Sequence, residues 1–281
     1  MSGFSAEWLA LREPVDHLSR AAALRDSVAA HFKSCDHLSI VDLGCGSGSN
    51  LRALAPDLIA NQSWRLVDYD PALLVAARAT LSDWADHHTN EGDALVIRKD
   101  AKRIEVRFRQ ADLSTSVASV LDDGVDLVTA TAFFDLVSPA WIEGFCADLA
   151  RRRLPLFATL TYNGEETWLP PHSSDSAMLA AFHAHQAGDK GFGPAAGPAA
   201  TGLMQAGLAA HGYRVAIAPS PWRLDAAHKG LIAALADGAS GAVAETGRVE
   251  AAVIDDWSAS RRQAQSCEIG HADLFGVPNS D

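Results

Sequence analysis

Three acidic residues stand at or just after the apolar runs in the first half of the sequence. Asp42 lies within IVDL, Asp68 ends RLVD, and Asp112 follows RFRQA. The segment GCGSG, residues 44–48, places three glycines in five positions after the first run. Glycines there let a ligand approach the backbone and meet free N–H groups, and a carboxylate can accept two hydrogen bonds from vicinal hydroxyls. The pattern indicates a ligand held at the strand ends.

The glycine segment differs from two common nucleotide-binding motifs. Its spacing is G-x-G-x-G rather than G-x-G-x-x-G, because the residue three after Gly46 is Ser49. A G-x-x-x-x-G-K-[ST] phosphate loop is absent, since the lysine and the hydroxyl residue after it are missing. A nicotinamide-type dinucleotide protein therefore remains an alternative that the glycine spacing argues against.

Alternating strand and helix patterns surround these residues. Strands are predicted at 39–43, 64–67, 104–110, 125–130, 154–162, 213–218 and 267–278. Helices are predicted at 5–33 with a break near Pro14, then at 50–58, 71–84, 139–150, 177–186 and 201–211, with two Ala-rich helical segments in 225–264. This order predicts a mostly parallel sheet whose ligands sit outside the carboxyl ends of the strands.

Four segments along this pattern resemble the motifs of one family, the class I S-adenosylmethionine-dependent methyltransferases. They are IVDLGCGSGSN, WRLVDYDPALL, RQADLST and VDLVTATAFFDLVSPAWI, and together they cover about residues 40–160. The resemblance implies an α/β protein with a Rossmann-like, doubly wound, seven-stranded, mostly parallel sheet. Its last strand is antiparallel, and helical additions form a lid. The implied cofactor is S-adenosyl-L-methionine, with S-adenosyl-L-homocysteine as product.

The resemblance assigns roles to the acidic strand ends. Asp68 takes the position whose carboxylate bonds both ribose hydroxyls. Tyr69 lies against the adenine or is a half-exposed aromatic at a strand end. Asp112 reaches the adenine amino group, while the backbone N–H of Leu113 meets a ring nitrogen. Asp42 helps to hold the methionine ammonium through water or is a plain N-cap at the strand end.

Further residues are implied beside the cofactor. They are Gly44, Cys45, Gly46, Asn50, and Thr129 and Ala130 within a wall at 129–132. Arg12 either bonds the methionine carboxylate from an N-terminal lid helix or pairs with Asp16 four residues on.

The family's chemistry asks little of the protein, because the sulfonium already carries an activated methyl group and transfer is an in-line displacement. Many small-molecule methyltransferases place a histidine just after the fourth strand, where this chain has Asp135. Asp135 is the candidate catalytic residue, as a base or as an anchor for a cationic amine. The alternative is a helix N-cap or a surface carboxylate.

Substrate specificity is expected in the later part of the chain. The candidate substrate contacts are Phe134, Tyr162, Trp168 and Phe192; Trp168 forms an aromatic wall with His172 and Trp222 or belongs to the core. We divide the chain into an N-terminal helical lid segment (1–36), a cofactor-binding core (37–162) and a C-terminal part of the same domain (163–281). That last part holds a lid loop at 188–198, the helical insertion at 225–264 and the last strand.

Composition limits the function classes. The formal net charge of −12 and the absence of a basic surface signal argue against nucleic acid and favour a small-molecule methyl acceptor. No apolar run is long enough for a membrane, and the start lacks the features of a secretory signal, so we expect a cytoplasmic protein. The four cysteines and the histidines show no metal-ligand spacing, so no metal is expected. A homodimer is allowed but not required.

Two rival functions remain beside the methyltransferase. One is a protein that binds S-adenosylmethionine without catalysis, as an assembly or regulatory factor, and the unusual FFD at 133–135 is its only support in the sequence. The other is the nicotinamide-binding protein described above. Aminopropyl transfer is disfavoured because the residues after the fourth strand lack a D-x-x-D context.

Overall fold

A computed structural model describes residues 5–121 and 124–279 of the chain. Residues 1–4 of the predicted N-terminal segment and residues 280–281 of the predicted C-terminal part lie outside the described ranges. The helices are α1 (Ala6–Ser19), α2 (Ala22–Phe32), α3 (Ser49–Leu54), α4 (Pro71–Trp84), α5 (Leu113–Val120), α6 (Pro139–Arg152), α7 (Asp175–Gln186), α8 (Ala200–Ala210), α9 (Lys229–Thr246) and α10 (Ala251–Arg261). The strands are β1 (Leu38–Leu43), β2 (Asn61–Asp68), β3 (His87–Glu91), β4 (Ala94–Lys99), β5 (Lys102–Gln110), β6 (Leu127–Thr131), β7 (Leu156–Leu169), β8 (Tyr213–Pro219), β9 (Trp222–Leu224) and β10 (Ser266–Pro278).

One sheet runs through the molecule in the order β3-β4-β5-β2-β1-β6-β7-β10-β8, and β9 pairs with β10. Five neighbouring strands of the sheet are parallel to one another: β5, β2, β1, β6 and β7. Strand β10 is antiparallel to both of its long neighbours, β7 and β8. The next four strands of the chain, β2 to β5, lie on one side of β1, and β6 lies on the other side of β1. The carboxyl ends of β1 and β6 therefore flank the point where the strand order reverses, which is where open α/β sheets bind ligands.

Helices cover both faces of the central strands. Val41 and Leu43 of β1 pack into the layer of α5, α6 and α8, while Ile40 of the same strand packs into the layer of α2, α3 and α4. Successive side chains of a strand point to opposite faces, so a strand buried on both faces is apolar throughout. This double burial explains why the parallel strands appear in the sequence as short continuous apolar runs.

A third apolar cluster lies beyond the central sheet. The long strand β7 and its partner β10 extend into it, and the Ala-rich helices α9 and α10 pack there with α7. Trp168 of β7 meets Trp257 of α10 with ring centroids 5.7 Å apart. The two helices predicted in 225–264 are thus present and cover the far end of the β7–β10 ribbon.

The seven predicted strands are all present. The sheet has ten strands in the described ranges, three more than predicted. The added strands are β3, β4 and β9, and β7 continues seven residues beyond the predicted end at 162. Every residue of β3 is exposed, so that strand shows no alternation of apolar and polar residues. β9 has three residues, too few for a pattern.

The N-terminal helices differ from the prediction in where they break. α1 continues through Pro14, and the chain turns at Arg20 and Ala21 instead. Pro14 cannot donate to the carbonyl of Ala10, and Ala10 is exposed, so water can bind that carbonyl. The predicted helix at 50–58 is also shorter, because α3 gives way to a 3-10 turn containing Pro56.

The described helices all lack the combination of length and apolar character that a bilayer crossing requires. The division into an N-terminal lid, a core and a C-terminal part remains a prediction, as does movement of the 188–198 loop.

Two glycines of α8 give a matched test of the helix packing. A Cβ on Gly207 would lie 2.9 Å from Cys146 Sγ of α6, whereas a Cβ on Gly202 would meet nothing within 4 Å. We expect Gly207→Ala to destabilise the protein by about 1 to 3 kcal/mol through overpacking. Gly202→Ala should stabilise it by about 0.5 to 1 kcal/mol through helix propensity. Urea unfolding measures both, and equal effects would contradict this packing of α8 on α6.

Candidate functional site

A cavity of about 630 Å³ opens at the carboxyl ends of β1, β2, β5 and β6. Its volume is within the usual range for small-molecule sites. The wall is built from α1, the glycine turn after β1, the ends of β2, β5 and β6 with the segments that follow them, and residues 190–192. Elements distant in the sequence therefore meet at the place where the topology predicts a ligand.

The glycine turn is shaped by its packing as much as by room for a ligand. Gly44 and Gly46 have φ values of +63° and +52°, a conformation that glycine adopts without strain. A Cβ on Gly44 would lie 2.8 Å from Phe133 Cδ2, and one on Gly46 would lie 2.9 Å from Leu9 Cδ1. A Cβ at either position would therefore have to displace a neighbouring side chain and would also strain the backbone.

Asp68 ties the end of β2 to this turn. Its Oδ2 accepts a hydrogen bond from the Gly46 N–H at 2.8 Å, and its Oδ1 accepts one from the Asp70 N–H at 3.0 Å. Burial raises the pKa of Asp68, and these backbone donors act in the opposite direction. Each carboxylate oxygen has a second lone pair, so Asp68 can still accept bonds from a ligand in the cavity.

Asp42 lies on the wall with one oxygen unpaired. Asn50 Nδ2 donates to Asp42 Oδ1 at 2.7 Å, while Asp42 Oδ2 is buried without a partner among the described residues. Burial raises the pKa of Asp42 to about 7; the hydrogen bond from Asn50 and the charge of Arg20 oppose this rise, and the charge of Asp68 adds to it. A buried carboxylate oxygen without a donor is costly unless a ligand or water fills the position.

Another part of the wall follows the ends of β2 and β5. Tyr69 is 56% exposed, and Leu113 is buried at the start of α5. Asp112 is the N-cap of that helix, with its Oδ1 accepting from the Ser114 N–H at 2.9 Å. The aromatic ring of Tyr69, the apolar side chain of Leu113 and the carboxylate of Asp112 together suit a flat, polar ring.

Most of the predicted cofactor residues lie on the wall: Arg12, Asp42, Gly44, Cys45, Gly46, Asn50, Asp68, Tyr69, Asp112 and Leu113. Thr129 and Ala130 do not, because both are fully buried inside β6. Thr131 and Ala132 take their place where the strand ends. Contact of any of these residues with a cofactor remains a prediction.

Arg12 is engaged by the protein itself. Its Nε and Nη2 donate to the two carboxylate oxygens of Asp16 at 2.8 and 3.2 Å, and its guanidinium lies 4.8 Å from the ring centre of Trp222. The pairing with Asp16, one of the two alternatives in the sequence, is therefore formed. Arg12 still borders the cavity.

Among the candidate substrate contacts, only Phe192 borders the cavity. Phe134 and Trp168 are core residues, 1% and 5% exposed, and the neighbouring Phe133 faces the cavity instead of Phe134. Tyr162 is buried and donates to Glu166 Oε1 at 2.9 Å. Phe134, Tyr162 and Trp168 therefore do not line this cavity, and their contact with a substrate stays a prediction.

Asp135 lies behind the wall rather than on it. Its Oδ2 accepts from Gln186 Nε2 at 3.2 Å, its Oδ1 has no described partner, and burial raises its pKa to about 6. The N-cap of α6 is Ser138, whose Oγ accepts from the Trp141 N–H, so Asp135 is neither that cap nor a surface group. Its assignment as a catalytic residue in contact with a substrate is not supported by this position.

The sequence reasoning missed one side of the cavity. Leu9, Arg12 and Asp16 all line it from α1, but only Arg12 was assigned to the site. Their spacing of three and then four residues places them on one helix face, so the pattern was available in the sequence. Over the described ranges, no group of three His, Cys, Asp or Glu side chains is arranged to hold a metal ion.

No family model and no curated protein matches the sequence. Solved structures do match in fold. A cyclopropane-fatty-acyl-phospholipid synthase-like protein from Lactobacillus casei is 12% identical, with a TM-score of 0.54 over 97% of this chain and 94% of that one. A SAM-dependent methyltransferase from Thiobacillus denitrificans in complex with S-adenosyl-L-homocysteine is 15% identical, with a TM-score of 0.45 over 98% and 99%. Magnesium protoporphyrin IX methyltransferase from Synechocystis, with the same molecule bound, is 12% identical, with a TM-score of 0.47 over 99% and 90%.

The packing of α1 on the glycine turn can be tested by a double-mutant cycle. Gly46→Ala places a methyl group against Leu9 on a backbone with positive φ, so we expect a loss of about 1 to 3 kcal/mol in unfolding free energy. Adding Leu9→Ala removes the close contact and should recover about 0.5 kcal/mol or more relative to additivity. Urea unfolding of the four proteins measures the coupling. Strict additivity would mean that Leu9 does not cover the turn.

Proposed function

From the Rossmann-like methyltransferase fold of this chain, we propose that the protein binds S-adenosyl-L-methionine in the cavity and transfers its methyl group to a small-molecule acceptor. One observation carries the proposal, namely the charge of the wall. Among the described residues, five carboxylates border the cavity, Asp16, Asp42, Asp68, Asp70 and Asp112, against two cations, Arg12 and Lys190. Arg12 is already paired with Asp16. Such a wall suits a sulfonium with an ammonium group and repels the pyrophosphate of a dinucleotide.

The residues at the strand ends match the parts of this cofactor in order. Asp42 Oδ2 would accept from the ammonium of the methionine end, and Asp68 would accept from the ribose hydroxyls. Tyr69, Asp112 and Leu113 would hold the adenine. The orphaned Oδ2 of Asp42 and the remaining lone pairs of Asp68 support this assignment.

When bound, the cofactor supplies an already activated methyl group on its sulfonium. The chain's own contribution is then to bind, orient and exclude water, which effective-molarity arguments make the main source of rate enhancement. The apolar part of the wall, Leu9, Ala132, Phe133, Leu136 and Phe192, is available for the acceptor. Its size and character favour a small molecule with an apolar body over a polymer.

A second candidate function is cofactor binding without methyl transfer. The position of Asp135 favours it, because this carboxylate is buried behind the wall, where it accepts a hydrogen bond from Gln186 and does not face the cavity. An acceptor that reaches the cavity already deprotonated needs no base, so the methyltransferase remains the primary proposal.

Calorimetry with S-adenosylmethionine, S-adenosylhomocysteine and NADH in parallel tests the cofactor. We expect the first two to bind and NADH not to bind. Methyl transfer is then tested by incubating the protein with a small-molecule extract and an equal mixture of CH₃- and CD₃-labelled cofactor, since a methylated product appears as a paired mass peak. Cofactor binding without any paired peak favours the non-catalytic function, and binding of NADH alone overturns both.

Asp68→Asn tests the ribose assignment. The change is isosteric, but it removes the charge that strengthens hydrogen bonds from hydroxyl donors, and the new NH₂ group faces one of the two backbone N–H donors that Asp68 accepts. We expect affinity for S-adenosylhomocysteine to fall by about 1.5 to 3 kcal/mol, roughly ten- to hundredfold. Asp83→Asn, on the exposed face of α4, is the matched control. An unchanged affinity in Asp68→Asn would show that Asp68 does not bind the ribose.

A further inference from the structure

A buried arginine lies behind the cavity wall at the junction of α1 and α2. Arg20 is 5% exposed, and within the described residues no carboxylate is within ion-pair distance of its guanidinium. Its Nη1 donates to Asn50 Oδ1 at 2.7 Å, and its Nη2 donates to Thr131 Oγ1 at 3.3 Å. A buried cation without a directly paired anion is costly, so its retention calls for a physical reason.

The hydrogen bonds around Arg20 have a fixed direction. A guanidinium can only donate, so Asn50 must present its oxygen to Arg20 and its amide nitrogen to the other side. That nitrogen donates to Asp42 Oδ1 at 2.7 Å and to Thr129 Oγ1 at 3.0 Å. The Thr129 hydroxyl in turn donates to the Phe157 carbonyl oxygen at 2.8 Å, which makes it an acceptor for Asn50.

This arrangement leaves one oxygen of Asp42 without a hydrogen bond from the described residues. Asp42 Oδ1 is bonded to Asn50, whereas Asp42 Oδ2 is buried and has no described partner. Arg20 and Asp42 are thus a cation and an anion separated by one amide side chain. If Asp42 takes up a proton, the free Oδ2 is the oxygen that can carry it.

We propose that Arg20 is a positioning residue which, through Asn50, favours the ionised form of Asp42 and leaves Oδ2 free, so that Asp42 binds the ammonium group at the methionine end of the cofactor. The inference rests on the proposed function. It assigns a role to a side chain that does not border the cavity and that no motif singles out.

Several charged groups set the protonation of Asp42. Burial raises its pKa to about 7, Arg20 opposes the rise, and Asp68 at the end of β2 adds to it. Cys45 of the glycine turn also faces Asp42, with a thiol pKa raised well above its usual value by burial, so it stays neutral. The charge of Arg20 is balanced in turn by Asp273 of β10 and Asp16 of α1, with Arg25 of α2 opposing.

The sign of the pH effect follows from this balance. Below pH 7 the unliganded protein protonates Asp42, which can then no longer attract an ammonium group, so affinity for the methionine end falls with decreasing pH. Loss of the Arg20 charge raises the pKa of Asp42 further. The acid loss of affinity should then begin at a higher pH.

The test compares S-adenosylhomocysteine with 5′-methylthioadenosine, which keeps the adenosine and thioether but lacks the amino acid end. The ratio of the two affinities, measured by calorimetry between pH 5.5 and 8, isolates the methionine end, because titration of Asp68 affects both ligands. In the wild-type protein we expect this preference to fall about tenfold per pH unit below pH 7.

Arg20→Met should lower the preference at pH 7 by roughly ten- to hundredfold and move its midpoint to higher pH, with affinity for methylthioadenosine nearly unchanged. Arg20→Lys keeps the positive charge and should bring the pH midpoint of the preference part of the way back to the wild-type value. Arg25→Met is the matched control, because Arg25 Nη1 lies 3.5 Å from Asp57 Oδ2. The preference for S-adenosylhomocysteine over methylthioadenosine should not change in this variant.

Several outcomes would overturn the inference. A wild-type preference that does not vary with pH would do so without any variant, even if Arg20→Met fails to fold. Equal losses for both ligands in Arg20→Met would make Arg20 a purely structural residue. A wild-type protein that binds neither ligand would instead remove the proposed function itself, and this inference with it.

Discussion

The hydrogen bond from the Gly46 N–H to the Asp68 carboxylate is the constraint on which the site depends. It joins the turn after β1 to the end of β2, next to the backbone hydrogen bond from the Cys45 N–H to the Val67 carbonyl oxygen at 3.0 Å. With the turn held there, its left-handed glycines leave room for Leu9 of α1 and Phe133 after β6 to close over it. The cavity is the space that remains between these side chains and the strand ends.

Three buried ionisable side chains lie in the same region. Asp42 and Asp68 are both buried with raised pKa values, and Arg20 is buried without a direct ion pair among the residues described. A buried charge without a direct partner of opposite sign is costly in the folded protein. A ligand with a positive charge at one end and hydroxyl donors beside it would relieve these costs on binding.

Sequence reasoning succeeded where information is local. The apolar runs predicted the central strands, and Asp42, Asp68 and Asp112 were placed correctly because position at a strand end follows from the run itself. It failed where tertiary packing decides. Nothing local distinguishes Phe133, which faces the cavity, from Phe134, which is core, since the turn after β6 sets which ring points inward. The hairpin of β3 and β4 was missed for a different reason, because the exposed β3 has no apolar side.

The position of β10 has a consequence for synthesis on the ribosome. This last strand lies between β7 and β8, so β8 has no neighbour in the described sheet until β10 has been made. Asp273 of β10 also accepts the backbone N–H of Ala21, a bond across 252 residues that fixes the α1–α2 junction next to Arg20. Vectorial translation can therefore form the early strands first, whereas β8 and the α1–α2 junction gain these contacts only after β10 has emerged.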